Sequence, residues 1–111
     1  MVSQVVLLES NTLGAPDEKL GAILIGNCLR LLGQRQDLPE YIVLLNGGVL
    51  LATKGAETLE HLQALEQRGV KIISCRTCVD YFDIERDIAV GVIDGMVAIL
   101  EILSTRNVLT I

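Results

Sequence analysis

Five short runs of β-branched and aliphatic residues, at 2–8, 41–45, 71–74, 89–93 and 107–111, are separated by stretches whose apolar residues recur at helical spacing. Strands repeat on a period of two residues and helices on 3.6, so the alternation predicts a chain of strands joined by helices. Parallel neighbours need helical crossovers of this length, and the expected fold is an α/β sheet, mainly parallel, covered on both faces. Strand order does not follow from the pattern. The first helix is expected from about residue 20, with a stripe of Leu20, Ile23, Leu24, Cys28, Leu31 and Leu32, opened near Pro16 or Asp17 and closed near Gly33. A second covers about 56–68, with Leu59, Leu62 and Leu65 on one stripe and Gly69 at its end. Residues 79–88 read as a short helix, and 95–104 as the last helix with Asp94 as its N-cap.

A parallel sheet sends every strand-to-helix loop out at its carboxyl edge, where open α/β folds bind ligands. The loops at 9–12, 46–48, 75–78 and 93–95 are therefore expected to face one region.

A chain of 111 residues has the size of one domain, so 1–111 reads as a single unit. Tyr41, Tyr81 and Phe82 are its only aromatic residues, which leaves the core to Leu, Ile, Val and Ala. The net charge of -5 and the lack of any Lys/Arg cluster argue against nucleic-acid and anionic-membrane partners. No apolar run approaches the roughly 20 residues that span a bilayer. Met1 runs into the first strand without a basic segment or a cleavage site, so the cytoplasm is the expected compartment. There Cys28, Cys75 and Cys78 are expected to be reduced rather than to form a disulfide framework.

The only concentrated chemistry is Cys75-Arg76-Thr77-Cys78. A thiol at a strand-to-helix turn meets backbone amides and the positive end of a helix dipole, with Arg76 adding a charge, so a thiolate is expected there. It can attack a sulfur atom, hold it as a persulfide, or close a disulfide with its neighbour. The competing reading is two inert, buried cysteines. No metal site is expected within the chain, because tetrahedral zinc needs four ligands and no second C-x-x-C or histidine pair is present. His61 reads as a solvated helix residue, and Cys28 as a small core residue.

The loop Ser10-Asn11-Thr12-Leu13-Gly14 offers amides and hydroxyls to an anion, or is simply a capped turn. It lacks a P-loop lysine and the G-x-G-x-x-G order, and there is little aromatic surface to stack a flavin, so no cofactor is expected. Asn46-Gly47-Gly48 reads as a flexible exit that lets substrate approach the backbone, or as a turn that needs positive φ.

Three segments carry a family resemblance: Ser10-Asn11-Thr12-Leu13-Gly14 with Leu20-Gly21, then Leu44-Leu45-Asn46-Gly47-Gly48-Val49, and Gly69-Val70-Lys71-Ile72-Ile73-Ser74-Cys75-Arg76-Thr77-Cys78. Together with Ala89-Val90-Gly91 and Met96 they resemble DsrE/DsrF-like proteins over nearly the whole chain, most of all the DsrE-like domain of YedF-type selenium-metabolism proteins. The resemblance implies a three-layer α/β/α fold on a five-stranded parallel sheet, and sulfur relay in which a cysteine carries sulfane sulfur as a persulfide. Cys75 matches the sulfur-accepting cysteine and Cys78 the second cysteine of a C-G-T-C pattern. Arg76 replaces the glycine of that pattern and Ile93-Asp94-Gly95 replaces a Val-Thr-Asn. The TusA-like domain that usually precedes the match in YedF-type proteins is not expected here, so a partner is expected to supply or receive the sulfur.

The function expected is a sulfurtransferase-like persulfide carrier with Cys75 and Cys78 as reacting groups. Arg76, Thr77, Asn46, Gly47, Gly48, Ser10 and Asn11 are expected to line its pocket, and sulfur donor and acceptor proteins, TusA-like ones among them, are the expected partners. The alternatives are a non-enzymatic ligand- or partner-binding module and a dithiol oxidoreductase, although the Trp and Pro that flank a thioredoxin-type pair are missing. Helix one and the last helix are apolar on more than one face, so a homo-oligomer is expected. Trimers and hexamers are the states the resemblance implies.

Overall fold

A computed structural model describes residues 1–111. Its elements are β1 (Val5–Leu8), α1 (Glu18–Leu32), β2 (Tyr41–Leu44), α2 (Leu59–Gln67), β3 (Lys71–Cys75), α3 (Arg76–Phe82), β4 (Val92–Asp94), α4 (Met96–Thr105) and β5 (Val108–Thr110), with single 3-10 segments at Asn46–Ala52 and Glu85–Asp87. All strand pairs are parallel and the order is β4-β3-β2-β1-β5. The chain thus steps outward from β1 to β4, and α4 then carries it back across the sheet to pair β5 with the free side of β1.

The two faces are covered unequally. Ile25 and Leu29 of α1, Leu62 and Leu65 of α2, and Val49, Leu51 and Ala52 of the 3-10 segment close the main core over Val6, Leu8, Ile42, Leu44 and Ile72. On the other face α4 alone buries Ile99 and Ile102 against Val5, Val43, Ile73 and Cys75. Successive strand residues point to opposite faces, which is why Ile72 and Ile73 belong to different cores.

Helix α1 is turned relative to the stripe its sequence suggests. Gly21, Ile25, Leu29 and Leu32 are buried, whereas Leu20, Ile23, Leu24 and Leu31 are exposed and Cys28 is only half-buried. Both sets have helical period, so period cannot choose between them. Gly21 does: a Cβ there would stand 2.8 Å from Cβ of Thr12, and the Gly21 carbonyl accepts the Leu13 amide at 3.0 Å. Only the glycine face can lie against the β1–α1 loop. The Asp17 N-cap is as expected, its carboxylate accepting the Leu20 amide at 2.8 Å.

Other boundaries move as well. Strand β4 starts only at Val92, because residues 89–91 are drawn into loop contacts: the Ala89 amide donates to the Ala52 carbonyl, and the Gly91 amide to Glu66. Gly95 rather than Asp94 caps α4, with the Asp94 side chain accepting the Gly95 amide. Asn46-Gly47-Gly48 does not form a flexible exit but opens a 3-10 segment whose apolar side chains enter the main core. Helix α2 starts later than residue 56 because Thr58 is held outside it, donating its hydroxyl to the Leu51 carbonyl at 2.9 Å. Gly69, with φ +96°, closes that helix as expected.

Two glycine substitutions test this packing in opposite directions. Gly26 lies inside α1 with open space where a Cβ would stand, so Gly26→Ala is expected to raise unfolding stability by roughly 1 kcal/mol. A Cβ on Gly48 would overlap the Leu8 carbonyl, so Gly48→Ala is expected to lower stability by about 1–3 kcal/mol. Urea-unfolding midpoints of the two variants read both signs.

Candidate functional site

Strand β3 ends in the first cysteine. Cys75 occupies the N-cap position of α3 and is fully buried, 0% exposed, among Val5, Val43, Ile73, Ile99 and Ile102. Ser74 before it is also fully buried, and its hydroxyl has no hydrogen-bond partner. Cys78, almost one helical turn on, is half-buried and packs against both cores.

The Cys78 thiol is held on two sides. Its Sγ accepts the backbone amide of Asn46 at 3.1 Å, and on its other side it packs against the apolar cluster that holds Cys75. Asn46 reaches this position in the left-handed region, φ 49°, a conformation that asparagine tolerates better than most side chains. The turn behind it is tied down: the Leu45 amide donates to the Leu8 carbonyl at 3.0 Å and the Gly48 amide to the Leu45 carbonyl at 2.8 Å.

The loops after β1, β2 and β3 therefore lie side by side at the carboxyl edge, as the parallel topology requires. Asn46, Thr77 and Cys78 line one open cleft of about 460 Å³ together with Tyr81 and Phe82. Gly47 sits against Asn11 and Gly48 against Leu8, where both serve the turn rather than the cleft. Ser10 spends its hydroxyl on Thr12, taking the Thr12 amide at 3.1 Å. Asn11 lines a separate hollow of about 500 Å³ with Ile25, Leu51 and Thr58.

Arg76 does not point its charge at the thiols. Its guanidinium donates to Asp80 at 3.2 Å and to Glu85, so its charge is offset by two carboxylates. Helix α3 has only seven residues, and no side-chain hydrogen bond caps it. The expected thiolate environment is therefore absent at Cys78: burial pushes its pKa up, the Asn46 amide pulls it down, and the Cys75 thiol adds to the rise. Cys78 rests as a thiol.

Tyr81 and Phe82 were not singled out by the sequence, yet they form the outer wall. Tyr81 is 84% exposed, and the two rings meet edge to face with centroids 5.6 Å apart. Their spacing of three and four residues from Cys78 on one helix was the signal that could have found them. No group of three or more His, Cys, Asp or Glu side chains is placed to hold a metal ion, and no helix is long and apolar enough to cross a membrane.

A family model described as the DsrE/DsrF-like family matches residues 14–111. Among solved structures, the ychN protein from E. coli is 22% identical with a TM-score of 0.70, the match covering 98% of this chain and 99% of that one. A protein of unknown function from Methanobacterium thermoautotrophicum is 16% identical with a TM-score of 0.68, covering 96% of both chains. At these identities the two structures speak for the fold alone. No curated protein matches the sequence.

The site geometry sets an order of thiol labelling. In the native protein iodoacetamide is expected to modify Cys78 well before Cys75, which should react only on unfolding, and the Cys78 rate should keep rising at pH values above the ordinary thiol pKa. Peptide mapping across a pH series reads both. Ser74→Ala removes an unmet buried hydroxyl and is expected to be neutral or to stabilise by up to ~1–3 kcal/mol without altering this order.

Proposed function

The chain belongs to the DsrE/DsrF-like family, and on that premise we propose that it is a sulfur-relay protein that carries sulfane sulfur as a persulfide on Cys75. The observation that supports this most is the pair of neighbouring thiols at the carboxyl edge, one buried and the other open to a cleft. A thiolate of the pair attacks the outer sulfur of a donor persulfide. The donor S–S bond breaks, and the donor leaves as a thiol with the displaced proton. An acceptor thiolate later removes the sulfur by the same displacement, so no net oxidation or reduction occurs and neither cofactor nor metal is required.

The donor and acceptor are protein thiols in this reading, TusA-like carriers among them, and turnover requires both. The likeness to YedF-type proteins rests on Cys75 and Cys78 and extends the cargo to selenium. Replacing Cys75, but not Cys28, is expected to abolish the cyanide-releasable sulfur that survives a glutathione chase after incubation with a sulfane donor. An unchanged yield of this chase-resistant sulfur from the Cys75 variant would sink the proposal.

The second reading, an oligomeric binding module of the same fold, is favoured by the exposed apolar surface of α4. Val97 is 90% exposed, with Met96 and Leu100 beside it and Val92 exposed on the edge strand. A homo-oligomer, trimer or hexamer, is compatible with both readings. Sedimentation of the wild type above monomer mass, and a shift toward monomer in Val97→Asp, are the expected results; a wild-type monomer at micromolar concentration would contradict the assembly. A chain that assembles but never takes up sulfur would be the binding module alone.

A further inference from the structure

The two thiols differ in access, and the difference has a direction. Sulfur transfer is a displacement in which attacking sulfur, transferred sulfur and leaving sulfur come nearly into line, so the attacker must be reachable by a donor as large as a peptide thiol. Cys78 meets that condition, because it lines the open cleft. Cys75 does not, because it is 0% exposed and enclosed by Val43, Ile73, Ile99 and Ile102. It does lie beside Cys78, at the N-cap of the helix that carries Cys78 and in the cluster against which Cys78 packs.

We infer that sulfur enters and leaves through Cys78 and reaches Cys75 only by exchange between the two thiols; the inference rests on the relay reading. In the first step the Cys78 sulfur attacks the outer sulfur of a donor persulfide, and the donor thiolate departs with the proton that Cys78 gives up. The Asn46 amide, already donating to Cys78 Sγ, supports the charge on that sulfur. In the second step Cys75 attacks the outer sulfur of the Cys78 persulfide. The bond from Cys78 to that sulfur breaks, and the Cys75 proton passes to the departing Cys78 sulfur. Both steps conserve the oxidation state of the carried sulfur. Attack at the inner sulfur would instead expel hydrosulfide and leave a Cys75–Cys78 disulfide, ending the relay.

Storage on Cys75 removes the persulfide from water and from passing oxidants, which act on exposed thiols first. Cys78 is thereby a port and Cys75 a store.

The test is time-resolved intact mass and peptide mapping of wild type, Cys78→Ser and Cys75→Ala exposed to glutathione persulfide, then chased with glutathione. Alanine avoids placing a new hydroxyl in the apolar site of Cys75. Cys78→Ser is expected to load at least about tenfold more slowly than wild type when native, and readily at Cys75 once unfolded in urea. Cys75→Ala is expected to load on Cys78 at the wild-type rate and to lose the sulfur at least about tenfold faster in the chase. Native Cys78→Ser loading at the wild-type rate, or failure of Cys75→Ala to load on Cys78, would overturn the port. No adduct on the wild type would instead remove the relay reading beneath it, a separate outcome.

Discussion

Gly48 rests so closely on the carbonyl of Leu8 that no side chain fits between them, and the arrangement of the site depends on this contact. It pins the turn after β2 against the end of β1, with the Leu45 amide bonded to the same Leu8 carbonyl. The chain must then leave through Asn46 in a left-handed conformation, which aims its amide at the Cys78 sulfur. A main-chain donor placed in this way is rigid, whereas a side-chain donor would first have to be ordered.

Cys78 is balanced between burial and the hydrogen bond from Asn46. Burial disfavours the charged form, and the Asn46 amide offsets part of that penalty at Cys78. The positive charge nearest in sequence is withheld, since Arg76 is held by Asp80 and Glu85 on the outside of α3. A partner that supplies charge or closes the cleft would therefore act on Cys78 directly. Tyr81 and Phe82 give such a partner an apolar surface directly beside the thiol.

The unequal cover of the sheet has the same logic on a larger scale. Helices α1 and α2 and the 3-10 segment close one face, while α4 alone crosses the other and keeps its own outer side apolar. Cys75 belongs to the thinner of these two cores, so whatever packs on α4 also lies over the wall behind the buried thiol.

Fold class, the parallel sheet and the convergence of the β1, β2 and β3 loops were legible in the sequence, because period-two and period-3.6 patterns and crossover length are properties of local chain geometry. The Asp17 cap, the Gly69 helix end and the Cys75/Cys78 motif were legible for the same reason. The rotation of α1 was not, since two of its faces carry apolar residues and only the approach of Gly21 to Thr12 selects one. Nor was the 3-10 segment at Asn46–Ala52, whose order comes from burying Val49 and Leu51 far from their sequence neighbours. The sequence by itself determined where the Cys75/Cys78 pair stands in the chain and at which edge of the sheet it emerges. Only the tertiary structure decided that Cys75 is enclosed, that Cys78 is open and that Arg76 faces away, because access depends on contacts between distant segments and the side of the helix on which Arg76 finds Asp80 and Glu85 depends on how α3 packs.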